Sequence, residues 1–138
     1  MTKIIEALER WAESFEEKYI YKSPTGPFYP KVNIGAIEGG APYRPNYFPG
    51  VCNIYVDVRT PPQLRPVTVQ HEITKALASL ATEYEMEAYK SLLGHEGKDV
   101  EPLVKSIEEI YQYLFGEKVK PEAPDRASIW TDTNVYNE

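Results

Sequence analysis

An α+β fold, with amphipathic helices laid on one face of an antiparallel sheet, is predicted by three observations. Ile5, Leu8, Ala12, Phe15 and Tyr19 recur at spacings of three and four, which gives a helix one apolar side, while Glu9, Glu13, Glu16 and Lys18 fill the other. Residues 52–59 alternate strictly: Cys52, Ile54, Val56 and Val58 share one face, Asn53, Tyr55, Asp57 and Arg59 the other, as a sheet covered on one side requires. A shorter apolar run at 32–37 stops at Gly39-Gly40, and a proline-rich loop joins it to the alternating strand, which makes a β-loop-β unit.

The remaining elements follow in order. The first helix ends at Ser23-Pro24-Thr25-Gly26-Pro27, read as a loop because proline cannot donate to a continuing ladder and glycine relieves the turn. After Arg59, Thr60-Pro61-Pro62 stops the strand. A second helix begins near Pro66-Val67, with Val69, Ile73, Ala76, Leu77 and Leu80 on one side. Residues 85–89 alternate through Glu85, Met86, Glu87, Ala88 and Tyr89 and predict a short strand. A third helix is expected over 100–115, striped by Leu103, Ile107, Ile110 and Leu114, capped by Asp99 and ended by Gly116. Residues 118–126 read as a linker, 128–130 as a short strand and 131–138 as a polar tail.

Helix, strand, strand, helix, strand is the ferredoxin-like β-α-β-β-α-β order, a two-layer sandwich, with its first strand absent. That strand lies centrally in such a sheet, so its absence leaves backbone groups unpaired and an apolar groove open. A strand from a partner chain, a rearranged segment at 127–130 or a separate peptide is expected to fill the gap. The composition shift across 90–99, with Gly94 and Gly97, divides the chain into residues 1–92 and residues 93–138.

Composition narrows the function. Hydrophobic residues at 42% and charged residues at 26% are ordinary for a globular chain, so disorder is not expected. A net charge of −6 without a basic run argues against nucleic-acid and anionic-membrane partners. No apolar run approaches the roughly twenty residues of a membrane span, and the N-terminus turns acidic too early for a signal peptide, so a cytoplasmic location is expected. Cys52 is the only cysteine, which rules out an intrachain disulfide, and its place on the apolar strand face predicts packed core.

Gly39-Gly40, Asn46-x-x-Pro49-Gly50 and an arginine, Arg59, thirteen positions after Asn46 together form a pattern. It resembles the lid, or dimerisation, domain of the zinc-dependent aminoacylase, acetylornithine deacetylase, succinyl-diaminopimelate desuccinylase and carboxypeptidase G family. Trp130-Thr131-Asp132-Thr133-Asn134 is similar to a turn in that family's catalytic domain. The resemblance implies that residues 1–92 are a partial lid and 93–138 a piece of the returning catalytic domain. It also implies a homodimer through the lid sheet and helix, and a parent enzyme that cleaves N-acyl amino acids or small peptides with metal-activated water, using zinc or cobalt.

The resemblance further implies that Arg59 meets a substrate carboxylate and Asn46 an amide or oxyanion. The chemistry suits both: a guanidinium gives two parallel charge-assisted bonds, and an asparagine offers a donor and an acceptor. Arg59 pairing with Asp57, and Asn46 bonding its own turn, are the structural alternatives. Gly39 and Gly40 read as backbone devices, and Asp132 as a cleft residue or a turn former. Tyr43, Tyr47, Phe48 and Tyr55 can line a substrate or subunit contact, although eleven tyrosines make clustering by chance easy. His71 and His95 lack companions at metal-ligand spacing, and Glu13, Glu16, Glu17, Glu108 and Glu109 read as solvated helix faces. The metal site is therefore expected outside this chain, which alone would be inactive. The alternative classes are a freestanding oligomerisation or small-molecule-binding module without catalysis, and an interaction protein that uses its sheet edge for β-augmentation.

Overall fold

The first helix sets the packing. In the computed structural model, which describes residues 1–23 and 26–120, α1 (Thr2–Lys18) buries Ala7, Leu8, Trp11 and Phe15. Trp11 takes the central place expected of Ala12, which is only half-buried. Phe15 is 1% exposed, and its ring centroid lies 4.9 Å from those of both Trp11 and Tyr19. The three rings meet because spacings of four bring side chains one above the other on a helix face.

Two short strands follow, β1 (Tyr21–Ser23) and β2 (Gly26–Phe28), paired antiparallel with Tyr21 opposite Phe28. The sequence predicts a loop over 23–27. The Ser23 hydroxyl donates to the Gly26 carbonyl at 2.7 Å, and Gly26 takes φ 136°, which favours glycine.

The main sheet is a long hairpin of β3 (Lys31–Gly39) and β4 (Cys52–Arg59), in register from Lys31 opposite Arg59 to Gly39 opposite Cys52, with a bulge between Ile34 and Ala36. The expected alternation of β4 holds along its length. Val32, Ile34, Ile54, Val56 and Val58 pack against a core of α1 side chains with Leu64, Val69 and Leu77. At the hairpin's far end, a Cβ on Gly39 would lie 3.2 Å from Cys52 Sγ, and Gly40 turns the chain with φ 76°. Cys52 is half-buried at this end rather than in the core, its Sγ 2.8 Å from Met1 Sδ.

Helix α2 (Pro66–Leu77) starts with proline in its first turn and lies beside α1 over the hairpin, burying Val69 and Leu77. Helix α3 (Glu101–Phe115) ends at Gly116, φ 72°, whose N–H bonds Gln112 O at 2.9 Å, as its sequence predicts. Its start differs. Asp99 adopts φ 54° and Val100 holds the cap position, so the Asp99 side chain caps nothing. Leu103, Ile107, Ile110 and Leu114 are all exposed, and Tyr111 alone in this helix is half-buried.

The strand expected at 85–89 is absent from the described structure. A strand needs a neighbour with open backbone groups, and among the described residues no strand supplies one at the central position: there β4 pairs with β3 alone. The architecture is nonetheless α+β, with antiparallel sheets and helices packed on one face of the hairpin. The segment expected as a strand at 128–130 lies outside the described residues.

Two carboxylates on the polar side of α1 and α2 join elements. Glu16 Oε1 accepts the Val32 backbone N–H at 2.9 Å while its other oxygen meets Lys31 Nζ at 3.4 Å, tying helix to strand. Glu72 accepts from Lys18 Nζ at 2.6 Å and from the Tyr19 hydroxyl at 3.0 Å, tying α2 to the end of α1. The hydrogen bond from Lys18 holds the Glu72 carboxyl below its ordinary value of 4.5 against the opposing effect of burial, with a lesser contribution from the Tyr19 hydroxyl.

Phe15→Ala should cost about 3–5 kcal/mol by urea denaturation, since it empties the centre of the core. Glu16→Ala should cost roughly 1 kcal/mol and Glu16→Gln less, because the amide oxygen still accepts from Val32. The Glu72 contribution is fully present above the ordinary carboxyl pKa and is lost as pH falls through its lowered folded value. The stability gap between the native chain and Glu72→Gln should therefore close on acidification, measured by denaturation from neutral pH to below pH 4.5.

Candidate substrate-recognition site

The sheet presents its polar face to solvent because the helices take the other face. Asn53, Tyr55, Asp57 and Arg59 are exposed along β4, and the Tyr55 hydroxyl donates to Glu38 Oε2 at 3.1 Å across the hairpin. This contact raises the Tyr55 pKa above 10.0, because ionisation would set a phenolate beside a carboxylate.

Arg59 stands at the last position of β4. Its Nε donates to Asp57 Oδ2 at 3.1 Å, two residues back on the same face. The pair is half exposed, 48% for the arginine and 57% for the aspartate side chain, so water screens its attraction. Asp57 thus sets the orientation of a cation that stays open to solvent.

Asn46 lies in the loop at the opposite end of the hairpin. Two successive turns shape that loop, closed by Arg44 N–H to Ala41 O at 2.9 Å and by Tyr47 N–H to Arg44 O at 3.0 Å. Asn46 falls inside the second turn and is exposed. The Arg44 guanidinium sits 5.6 Å from the Tyr47 ring centroid. Tyr43 and Phe48 project almost wholly into solvent at 97% and 98% exposure, so the aromatic group expected here is three loop rings with Tyr55 apart on the strand.

The structure therefore separates the two residues that sequence spacing grouped together. Seven steps along β4, at 3.3 Å each, put its ends about 23 Å apart. No amino-acid-sized ligand spans that distance on one chain.

Beyond Arg59 an open depression of about 320 Å³ is lined by Lys18, Tyr19, Tyr21, Pro61, Gln63 and Leu64. The Tyr21 hydroxyl donates to Glu96 Oε2 at 2.7 Å, which brings residues 94–96 against this end of the sheet. Sequence reasoning missed this depression because its walls come from two segments some forty residues apart, 18–21 and 61–64.

His71 is exposed on α2, and His95 is half-buried in the connection before α3. Among the described residues no three His, Cys, Asp or Glu side chains gather where an ion could be held. These residues do not fit a zinc or cobalt centre. Asp132 lies outside the described residues. No described helix is long and apolar enough to cross a membrane.

The described residues thus form a helix-covered antiparallel hairpin whose exposed face carries Asn53, Tyr55, Asp57 and Arg59. Comparison with known families agrees: residues 1–85 match the model of the peptidase dimerisation domain. The chain belongs to that family, which links it to metallopeptidases, a class of hydrolases.

Proposed function

We propose that this chain is the lid and dimerisation part of a metal-dependent amidohydrolase or peptidase acting on N-acyl amino acids or small peptides. The observation that carries the reading is Arg59, a half-exposed guanidinium braced by Asp57 at the end of a strand packed on the core. Such a group grips a carboxylate through charge-assisted bonds without reorganising its backbone. Asn46 supplies an amide donor and acceptor from the opposite loop. Bond cleavage belongs to a zinc or cobalt centre outside these residues.

The 23 Å estimate shapes the assembly. A homodimer through the lid sheet and helix removes the conflict, because a two-fold axis exchanges the two ends of the hairpin. One substrate can then meet the arginine of one protomer and the asparagine of the other. Residues 93–138 form part of a second, catalytic domain in this reading. The exposed stripe of α3 supports it, since Leu103, Ile107, Ile110 and Leu114 are the pattern of a helix made to be covered.

In the intact enzyme Arg59→Ala should raise KM by about 10- to 150-fold, the loss of a charge-assisted bond worth roughly 1.5–3 kcal/mol. Arg59→Lys should recover part of that loss. Unchanged KM and turnover would remove the arginine from the site. Light scattering should give the mass of two chains, and a single-chain mass at high concentration would refute the dimer.

A further inference from the structure

The groove between α1 and α2 carries a polar defect that core packing does not require. Trp11 is 5% exposed, and its indole Nε1 is buried with no hydrogen-bond partner among the described residues. A buried N–H left unpaired keeps its full desolvation penalty, so an acceptor brought to it gains binding free energy. Trp11 also lines an open depression of about 400 Å³ between the helices.

That depression follows from the helical period. Ala7, Arg10, Trp11 and Ser14 stand three or four positions apart on α1, which places them on one face. Glu72, Lys75, Ala76 and Ser79 repeat the spacing along α2 and the turn after it, so the two faces form the sides of one groove. The alanines and serines are too small to fill it.

The charges select the occupant. Arg10 and Lys75 are exposed and form no ion pair among the described residues. Glu72 is already engaged through Oε1 by Lys18 and Tyr19, and Lys75 acts on it only as a nearby charge. The Ser14 hydroxyl donates to the Trp11 carbonyl at 2.9 Å. Two cations against one carboxylate favour a single added negative charge over a dianion, and the Ala7 and Ala76 methyls with the indole ring offer apolar walls.

We infer that this groove binds a small organic monocarboxylate with an apolar body. Its carboxylate lies between Arg10 and Lys75 and accepts from the Trp11 Nε1–H, while its body lies along Ala7 and Ala76. The site belongs to the helix layer, and Arg59 stands on the other face of the sheet. Neither this claim nor the recognition role of Arg59 depends on the other.

The test titrates the nitrogen-15-labelled 138-residue chain with hexanoate and follows the two indole N–H signals, which Trp130→Phe assigns. The Trp11 signal should shift saturably with a dissociation constant of about 1 mM or tighter. Hexan-1-ol and inorganic phosphate should each bind at least about tenfold more weakly. Arg10→Gln and Lys75→Gln, both at exposed positions, should each weaken hexanoate at least about fivefold and leave the circular dichroism spectrum unchanged. Equal binding of hexan-1-ol, no saturable shift up to about 50 mM, or unchanged affinity in both variants would each overturn the proposal. Nuclear Overhauser contacts from the Trp11 indole to residues 121–138 in the ligand-free chain would overturn it as well.

Discussion

Everything in this molecule hangs on the seating of α1 against the β3–β4 hairpin through Phe15. A two-stranded hairpin alone is marginal in water. Here its inner face of Val32, Ile34, Ile54, Val56 and Val58 is covered by one helix face and the flank of another. Phe15 fills the centre, with Trp11 and Tyr19 as tilted neighbours. The cost of ordering the chain is offset largely in this one cluster, so the hairpin is rigid where its outer face must present side chains.

Covering one face commits the other. Because β-strand side chains alternate, burying Ile54, Val56 and Val58 leaves Tyr55, Asp57 and Arg59 in solvent on the opposite side. The exposure of Arg59 is a by-product of the core's register. Shifting that register by one residue would send Arg59 inward and expose the valines. The Asp57 contact then needs only to orient the guanidinium, which agrees with its exposure and modest strength.

Much of this was legible in the chain. The period of α1, the alternation of β4, the proline start of α2 and the glycine end of α3 are local signals, and the structure follows each of them. Trp11 was not read as core because the stripe was centred one residue away on Ala12. Glu16 reads as a solvated charge, and Glu72 carries no sequence signal, because their partners, the Val32 amide and the Lys18–Tyr19 pair, are distant in sequence or set by packing. Residues 85–89 have a strand's pattern without a strand's bonds, since a ladder belongs to two segments and a pattern to one. Asp99 failed as a cap because its own backbone turned left-handed.

By itself the sequence determined the three helices and the two strands of the long hairpin, the apolar faces of α1 and β4, and that an asparagine and an arginine stand thirteen positions apart around an exposed strand face. Those properties depend on period and local backbone preference, which the order of residues carries directly. Only the tertiary structure decided that Asn46 and Arg59 stand at opposite ends of the hairpin and that Asp57 braces the arginine. Distances between segments come from packing, and a spacing of thirteen residues says nothing of direction until the strand that contains it is laid in a sheet.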